Sequence, residues 1–448
     1  MALTKNAEYT VEITGYTAEG AGVARIDGCA VFVPCALKGE KLRVKILKTA
    51  KNFCYGKVEE ILSPSKERIS SRCGAFPKCG GCDLWHMSRK EELDFKQMRV
   101  FDALERIGGF ENPPVQPIIA QASRTRYRNK SMFPVSEKGD KIISGFFRSH
   151  SHDIVSCKDC IIQSERANAL RDAVCRLSEA YGITPYNESD DTGILRNIYI
   201  RSGKKGDMLC LVVREKVNEL SILARALTEE FPDLITVSVS VNKTRGNTLM
   251  GESVEPLAGE VYWQDTLSGL DFKISPLAFY QVNREQAEKL YDKALEYAQA
   301  DGAFALDLYC GVGTITLCLA KRAKHVIGVE IVQRAVEDAK ENARLNRIEN
   351  ATFKCSDAGK FAAELAASGE RPDVIVVDPP RKGLDKNGID AILKMSPKRL
   401  VYVSCDPGTL ARDLKILCQK GYSLKEVTPV DMFPATKHVE CCVLLCRE

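Results

Sequence analysis

From about residue 275 onward the chain alternates short apolar runs with helical ones, and few folds accommodate that pattern. The runs Phe304–Tyr309, Val326–Glu330, Ala351–Cys355, Asp373–Val377 and Arg399–Ser404 are five or six residues each. Several are nearly unbroken Val, Ile and Leu, which suits strands covered on both faces. Helical stretches such as Thr314–Lys321 and Gln333–Asn346 lie between them. Strands alternating with helices specify an α/β fold with a doubly wound parallel sheet. Two further strands are expected at Tyr422–Thr428 and Val439–Cys446. In such sheets ligands bind outside the carboxyl ends of the strands.

Three motifs fall at those ends. Asp307-Leu308-Tyr309-Cys310-Gly311-Val312-Gly313-Thr314 is a glycine-bearing turn between the first strand and its helix. Glu330 closes the second strand, at the ~20-residue spacing of a carboxylate that holds ribose hydroxyls. A dinucleotide and S-adenosylmethionine fit these features alike. The third glycine of a dinucleotide fingerprint is missing, because Thr316 stands where a small residue is wanted. That favours the sulfonium cofactor over NAD. Asp378-Pro379-Pro380-Arg381 follows the fourth strand. Asp-Pro-Pro with an aromatic next occurs in enzymes that methylate exocyclic amines, and Arg381 in the aromatic's place argues for another acceptor. Ser404-Cys405-Asp406-Pro407 follows the fifth strand, with Asp406 as cap and Pro407 as first helical residue. The helix dipole there lowers a thiol pKa, while the Asp406 charge opposes it. Position alone leaves Cys405 either a nucleophile or a buried, inert cysteine.

Upstream, Tyr9–Gly15, Ala30–Pro34, Lys41–Lys48 and Gly56–Leu62 read as short strands between glycine turns. They suggest a small OB-like β-barrel over residues 1–62. Ser63-Pro64-Ser65 reads as a linker. Residues 88–107 form an amphipathic helix closed by Gly108-Gly109. A central α+β domain spans 63–270, with Ile194–Arg201, Asp207–Arg214 and Leu234–Val241 expected as consecutive antiparallel strands. The C-terminal domain spans 271–448, and the 88–107 helix is a candidate to pack on it.

The chain has 18 cysteines. Its first residues lack an apolar signal core, and no run approaches the ~18 apolar residues of a membrane span. A cytoplasmic location follows, and cytosolic cysteines in such number point to metal binding or catalysis rather than disulfides. Cys73-x5-Cys79-Gly80-Gly81-Cys82 supplies three thiols, and Cys157 or Cys160 a fourth. Spacing alone admits zinc or an iron–sulfur cluster. Net charge is only +4, but residues 38–51 carry six cations against Glu40. Arg124-Thr125-Arg126-Tyr127-Arg128-Asn129-Lys130 puts four cations around a ring. Either stretch is equally a solvated face; beside a barrel, such stripes suit single-stranded nucleic acid.

Taken together these motifs, with Phe279-Tyr280-Gln281-Val282-Asn283 and His438-Val439-Glu440, resemble the TRAM-domain RNA (uracil-5)-methyltransferases, most closely the iron–sulfur bacterial enzymes acting on 23S ribosomal RNA. The likeness covers nearly the whole chain. It implies a Rossmann-like methyltransferase domain behind the barrel and a 4Fe–4S cluster on Cys73, Cys79, Cys82 and Cys160, which fits the family position better than Cys157. It implies S-adenosylmethionine contacts from Gln281, Tyr309, Glu330 and Asp378, and from Thr314 and Asp357. It makes Cys405 the nucleophile that adds to uracil carbon 6, and Glu440 the base that removes the carbon 5 proton; on physics alone His438 competes for that role. The target base must leave its stack, which favours unpaired loops or bulges. The barrel and the Arg124–Lys130 stripe would then grip flanking nucleotides, with the protein acting as a monomer. Transfer RNA is the rival substrate, although relatives acting there commonly lack barrel and cluster. An iron–sulfur or NAD-linked oxidoreductase and a zinc-bearing RNA-binding protein are the other readings.

Overall fold

The computed structural model of the chain describes residues 3–246 and 248–448. Its N-terminal part is a six-stranded sheet in the order Glu8–Glu12, Lys41–Thr49, Phe53–Ser63, Cys29–Val33, Gly22–Ile26 and Gly15–Tyr16. Alternate residues point inward, so Val11, Ala24, Val31, Val33, Leu42, Val44 and Ile46 make a closed apolar core. At Gly56 a Cβ would run into Val44, so the sheet curls where only glycine fits. The strand Gly22–Ile26 lies in a stretch that its glycines had marked as turn.

The central part is a seven-stranded sheet, ordered Glu255–Gly259, Leu234–Val241, Gly206–Val213, Leu195–Gly203, Lys130–Lys138, Lys141–Phe147 and Ile154–Ser156. Leu195–Gly203 and Gly206–Val213 pair antiparallel as expected. Leu234–Val241, however, lies parallel to Gly206–Val213. The reason is the helix Glu219–Glu230 between them, which buries Leu220, Leu223, Ala224 and Leu227 on the sheet. A helical crossover brings the chain back in the same direction, which a tight turn would not.

The C-terminal sheet runs Ala351–Cys355, His325–Glu330, Phe304–Leu308, Val374–Val377, Arg399–Ser404, Glu440–Arg447, Tyr422–Val430. The first five strands are parallel. Glu440–Arg447 inserts antiparallel beside Arg399–Ser404. The hairpin Trp263–Leu267/Leu270–Ile274 precedes this sheet, and Trp263 donates from its indole to the Gly206 carbonyl of the central sheet at 3.1 Å. No helix among the described residues is long and apolar enough to cross a membrane.

The helix Arg89–Ala103 and its last wide turn Leu104–Gly108 pack on the C-terminal layer. Ser88 caps the helix by accepting from the Glu91 amide at 3.1 Å. Val100 and Leu104 join Leu410, Leu414 and Val427 in one core. Lys96 on this helix is fully buried between the equally buried Glu92 and Asp431. Its ammonium also donates to the Phe433 carbonyl at 2.9 Å. Arg89 reaches Asp431 at 2.6 Å, and Arg124 reaches Glu92 at 2.9 Å. Removing one member of a buried ion cluster strands its partners' charges. Lys96→Ala is therefore expected to destabilise the protein by about 3–5 kcal/mol in urea unfolding. Lys90→Ala, whose exposed pair with Asp94 lies on the same helix, should leave the urea midpoint essentially unchanged.

Candidate active site

The crevice opens where the strand order reverses, between Phe304–Leu308 and Val374–Val377. The first turn is shaped by backbone in the left-handed region: Tyr309 at φ +73°, Gly311 at +56° and Gly313 at +85°. Asp307 is fully buried beneath it and accepts from the Thr316 hydroxyl at 2.6 Å. The close helix–strand approach usually provided by a third glycine is provided from the strand side. A Cβ at Gly328 would meet the Thr316 hydroxyl at 2.8 Å and the Phe353 ring at 2.9 Å. Thr316 thus occupies the fingerprint's small position because Gly328 makes room for it.

Glu330 accepts from the Gly311 amide at 3.1 Å and from the Val332 amide at 2.9 Å. It fastens the turn while staying half-exposed at the crevice. Thr314 shares a hydrogen bond with the Tyr291 hydroxyl at 3.2 Å. Asp357 caps the helix Ala358–Ser368 through the Lys360 amide at 3.0 Å, and its charge acts on Tyr309. Burial, with that charge, pushes the Tyr309 phenol up to about 12. Gln281 is buried, and its carbonyl accepts from Asn129 at 2.9 Å. Two residues on, Asn283 donates to the Met432 carbonyl at 3.0 Å, on the loop that leads to Glu440.

Asp378 ends the fourth strand, and its charge acts on Asp307, Cys405 and Glu440 alike. Burial raises Asp378 to about 7 and Asp307 to about 7. Glu440 is 4% exposed; burial and Asp378 raise it to about 8, against the pull of Arg381. Ser404 pairs with Cys441 across the antiparallel strands, so Cys405 and Glu440 leave those strands side by side. Asp406 caps the following helix by accepting from Thr409 at 2.9 Å, with Pro407 at its first position, as expected.

Cys405 corrects the dipole argument. Its thiol is pushed up to about 11, by burial and then by Glu440 and Asp378. Arg381 opposes that shift but does not overcome it. At rest the group is a thiol, because desolvation and two neighbouring carboxylates outweigh a helix end. Arg381 itself was missed as a site residue. Its charge acts on Cys405, Glu440 and His438, and its signal was the unusual residue after Asp-Pro-Pro. His438 is held down at about 4 by burial and then Arg381. A neutral imidazole of that basicity is a poorer proton acceptor than Glu440.

The cysteine loop surrounds a second cavity, of about 250 Å³. Cys73, Cys79, Cys82, Cys157 and Cys160 all line it, beside Trp85, Phe76 and Ile162. Among the described residues no three such groups converge on a point where one ion would bind. The Trp85 indole nitrogen is buried at this cavity's wall, where it bears on the Cys82 thiol. Burial and the neighbouring thiols raise Cys82, and burial raises Cys160 to about 12. Arg126 and Asn168 donate to the Cys160 carbonyl at 3.1 and 3.2 Å and hold that residue in place.

The Arg124–Lys130 stripe is for the most part turned inward, against the expectation that it grips RNA. Arg124 donates to the Met87 and Leu84 carbonyls at 2.9 Å and stacks over Trp85 at 4.6 Å. Arg126 is held by Asp159 at 2.7 Å. Tyr127 is buried and donates to the Pro434 carbonyl at 3.0 Å. Lys130 lies over the Tyr199 ring, where burial lowers it to about 8. These cations tie the cysteine loop to its surroundings; Arg126 and Arg128 still border a polar groove with Lys204 and Arg284.

A doubly wound sheet with a glycine turn and Glu330 at its crevice, and a thiol and a buried carboxylate at the same edge, has the layout of a cofactor-dependent transferase rather than a simple binding module. Residues 266–448 match the tRNA (Uracil-5-)-methyltransferase family model, and residues 2–58 match the TRAM domain. An uncharacterized RNA methyltransferase of Halalkalibacterium halodurans is 43% identical over 99% of this chain and 98% of its own. One of Staphylococcus epidermidis is 40% identical over 100% of this chain and 99% of its own. The crystal structure of Pyrococcus abyssi tRNA (uracil-54, C5)-methyltransferase in complex with S-adenosyl-L-homocysteine superposes with a TM-score of 0.78. It is 28% identical, with 97% of this chain and 99% of that chain covered. The chain belongs to the TRAM-domain RNA (uracil-5)-methyltransferase family.

The electrostatics make a measurable statement about Cys405. Alkylation by iodoacetamide, resolved by peptide mass spectrometry, should be slow at pH 7.5 and rise towards pH 11. Above pH 8 Glu440 is ionised and holds the thiol up. Glu440→Gln should therefore speed alkylation of Cys405 at pH 9–10 several-fold, with little change at pH 6. Equal rates at both pH values would show that Glu440 exerts no field on the thiol.

Proposed function

We propose that the protein transfers a methyl group from S-adenosylmethionine to carbon 5 of a uridine in 23S ribosomal RNA, as a cytoplasmic monomer. The observation that carries this reading is the placement of Cys405 and Glu440 side by side over the crevice. Carbon 5 of a neutral uracil is a weak nucleophile. With its proton released to solvent, the Cys405 sulfur bonds to carbon 6 and pushes the ring electrons towards carbon 5 and the carbon 4 oxygen, which is covalent catalysis. S-adenosylmethionine supplies the methyl group as a cation equivalent and leaves as a neutral thioether. Glu440 then takes the carbon 5 proton, the 5,6 double bond reforms, and Cys405 is expelled. Its buried setting suits it to accept a proton near neutral pH. Asp378, Glu330, Tyr309 and Gln281, with Thr314 and Asp357, are assigned to hold the donor. A cationic donor beside Asp378 offsets the carboxylate field that keeps Cys405 protonated.

Iron and sulfide suit the cysteine cavity better than a single ion does. Its thiols line a cavity of about 250 Å³ rather than a single point, and the buried Trp85 indole beside Cys82 offers a hydrogen bond to sulfur. Cys73, Cys79, Cys82 and Cys160 are assigned to a 4Fe–4S cluster. Methyl transfer is redox-neutral, so the cluster's contribution is architectural.

Transfer RNA is the second reading, favoured by the substrate named for the Pyrococcus abyssi structure. Mass spectrometry of 5-methyluridine in ribosomal and transfer RNA from a deletion strain decides between them; loss from 23S RNA alone is expected. RNA carrying 5-fluorouridine should form a covalent adduct with the wild-type chain and none with Cys405→Ala. Glu440→Gln should accumulate the methylated adduct on ordinary uridine and lose about 10²–10⁴-fold in turnover. Anaerobically purified protein should hold about four irons and four sulfides per chain, and Cys73→Ser should lose them.

A further inference from the structure

Arg201 is a buried cation with no anion beside it. It lies near the end of the strand Leu195–Gly203 and is fully buried. Its Nε donates to the Tyr199 hydroxyl at 2.6 Å and its Nη2 to the Ala278 carbonyl at 2.6 Å. Among the described residues Nη1 has no partner, and no carboxylate pairs with the guanidinium. The group lies 5.7 Å from the centre of the Tyr199 ring and 5.5 Å from that of Trp263. Its register partner across the sheet is another cation, Lys130, which lies over the same Tyr199 ring. A desolvated charge without a counter-ion costs stability, and an apolar side chain of similar volume fills such a space at less cost. Packing alone therefore gives no reason for an arginine here.

What the arginine reaches gives one. Residues 275–283 join the strand Leu270–Ile274 to the helix Arg284–Ala298 with no helix or strand of their own. Their carbonyls are held from the central sheet. Tyr199 donates to Pro276 at 3.0 Å, and Arg201 to Ala278. The Asn129 side chain donates to Gln281 at 2.9 Å, and its backbone amide to Val282 at 2.7 Å. Asn129 directly precedes the strand Lys130–Lys138, which pairs with Leu195–Gly203, and its carbonyl accepts from the Ser202 amide at 2.8 Å. One corner of the central sheet thus grips the segment along its length.

Gln281 is 5% exposed, and its side-chain amide makes no hydrogen bond among the described residues. The direction of that amide is set by the backbone beneath it. Arg201 fixes this backbone just upstream, at Ala278. A rigid guanidinium fork can bridge Tyr199 and Ala278 at once, which a single ammonium on a flexible stem does less well.

We propose that Arg201 is a positioning residue for the methyl donor: by holding the Ala278 carbonyl it sets the segment from which Gln281 reaches the sulfonium cofactor. The inference rests on the assignment of Gln281 to the donor, and it extends the donor site into the central sheet.

Calorimetric titration of the full-length protein with S-adenosylhomocysteine, without RNA, tests this. Arg201→Met keeps most of the volume, removes the charge, and is expected to weaken binding about tenfold. Its urea midpoint should stay at or above the wild-type value, because an unpaired buried charge is gone. Arg201→Lys keeps the charge but loses the fork, and should also bind more weakly. In turnover the donor KM should rise, with kcat and the RNA KM unchanged. Gln281→Ala should weaken binding by itself, and either arginine variant added to it should cause no further loss, because Arg201 acts through that residue. The lysine variant carries the same comparison in a chain that keeps its charge, so the result does not depend on the methionine variant folding. Wild-type affinity in the arginine variants, beside a weakened Gln281→Ala, would overturn the positioning role alone. Additive losses in the double variants would overturn it too, since Arg201 would then act elsewhere. Wild-type affinity in Gln281→Ala would instead overturn the parent assignment of Gln281 to the donor.

Discussion

Desolvated negative charge at one sheet edge is the constraint around which the catalytic domain is organised. Asp307, Asp378 and Glu440 all sit where burial lifts them towards neutrality, and Arg381 is the cation that acts on Glu440. Nothing in a purely structural role rewards such an arrangement, because buried carboxylates cost stability unless protonated or paired. An incoming cation pairs them. A pyrophosphate would bring more negative charge into the same crevice, which is the physical objection to a nicotinamide dinucleotide here. The Gly311–Gly313 turn is common to both cofactor types; the carboxylates around it are what separate them.

The second organising element is the loop from Asp431 to Val439, because Glu440 is placed by what holds that loop. Lys96 binds its first residue and its Phe433 carbonyl. The Ala435 carbonyl accepts from the amides of Asp83 and Leu84 at 3.0 and 2.9 Å, and the Ala435 amide donates to Glu92 at 2.6 Å. Tyr127 donates to Pro434, and Arg99 donates to the Lys437 carbonyl at 2.7 Å. Asp83 follows Cys82 directly, so the cysteine loop and the loop before Glu440 share one clamp. The central part of the chain and the helix Arg89–Ala103 thereby contribute to a site made of C-terminal residues. This gives the cysteine loop a physical route to the site: it shapes the clamp that holds the loop before Glu440.

What could be read from the chain beforehand followed from local rules. Strand–glycine–helix order located the crevice, and Asp406 and Pro407 located the helix start after Cys405, because caps and turns depend on a few adjacent residues. Misreadings came where distant residues decide. Leu234–Val241 turned out parallel because a helix intervened. The Cys405 thiol was expected to balance the nearby dipole against Asp406, but burial raises it first, and then Glu440, 35 positions away in a strand that inserts beside it. The Arg124–Lys130 charges looked solvated until Glu92, Asp159 and the carbonyls of the cysteine loop were folded against them. Charge pattern along a chain does not reveal which way a side chain will turn; only its partners do.

A protonated thiol at rest is consistent with the proposed chemistry rather than an obstacle to it. A free thiolate at a partly exposed crevice would be oxidised or alkylated between turnovers. Burial, and then the fields of Glu440 and Asp378, hold Cys405 near 11 and keep it inert in the empty crevice. The event that offsets them in the proposed mechanism is the arrival of a positive donor beside Asp378. The nucleophile is then activated only in the donor-loaded complex. In the proposed mechanism the same carboxylates that help raise the thiol in the empty crevice then serve the loaded one, Asp378 by pairing the donor's charge and Glu440 by taking the ring proton. Reactivity is therefore set less by the cysteine's own position than by who occupies the space around it.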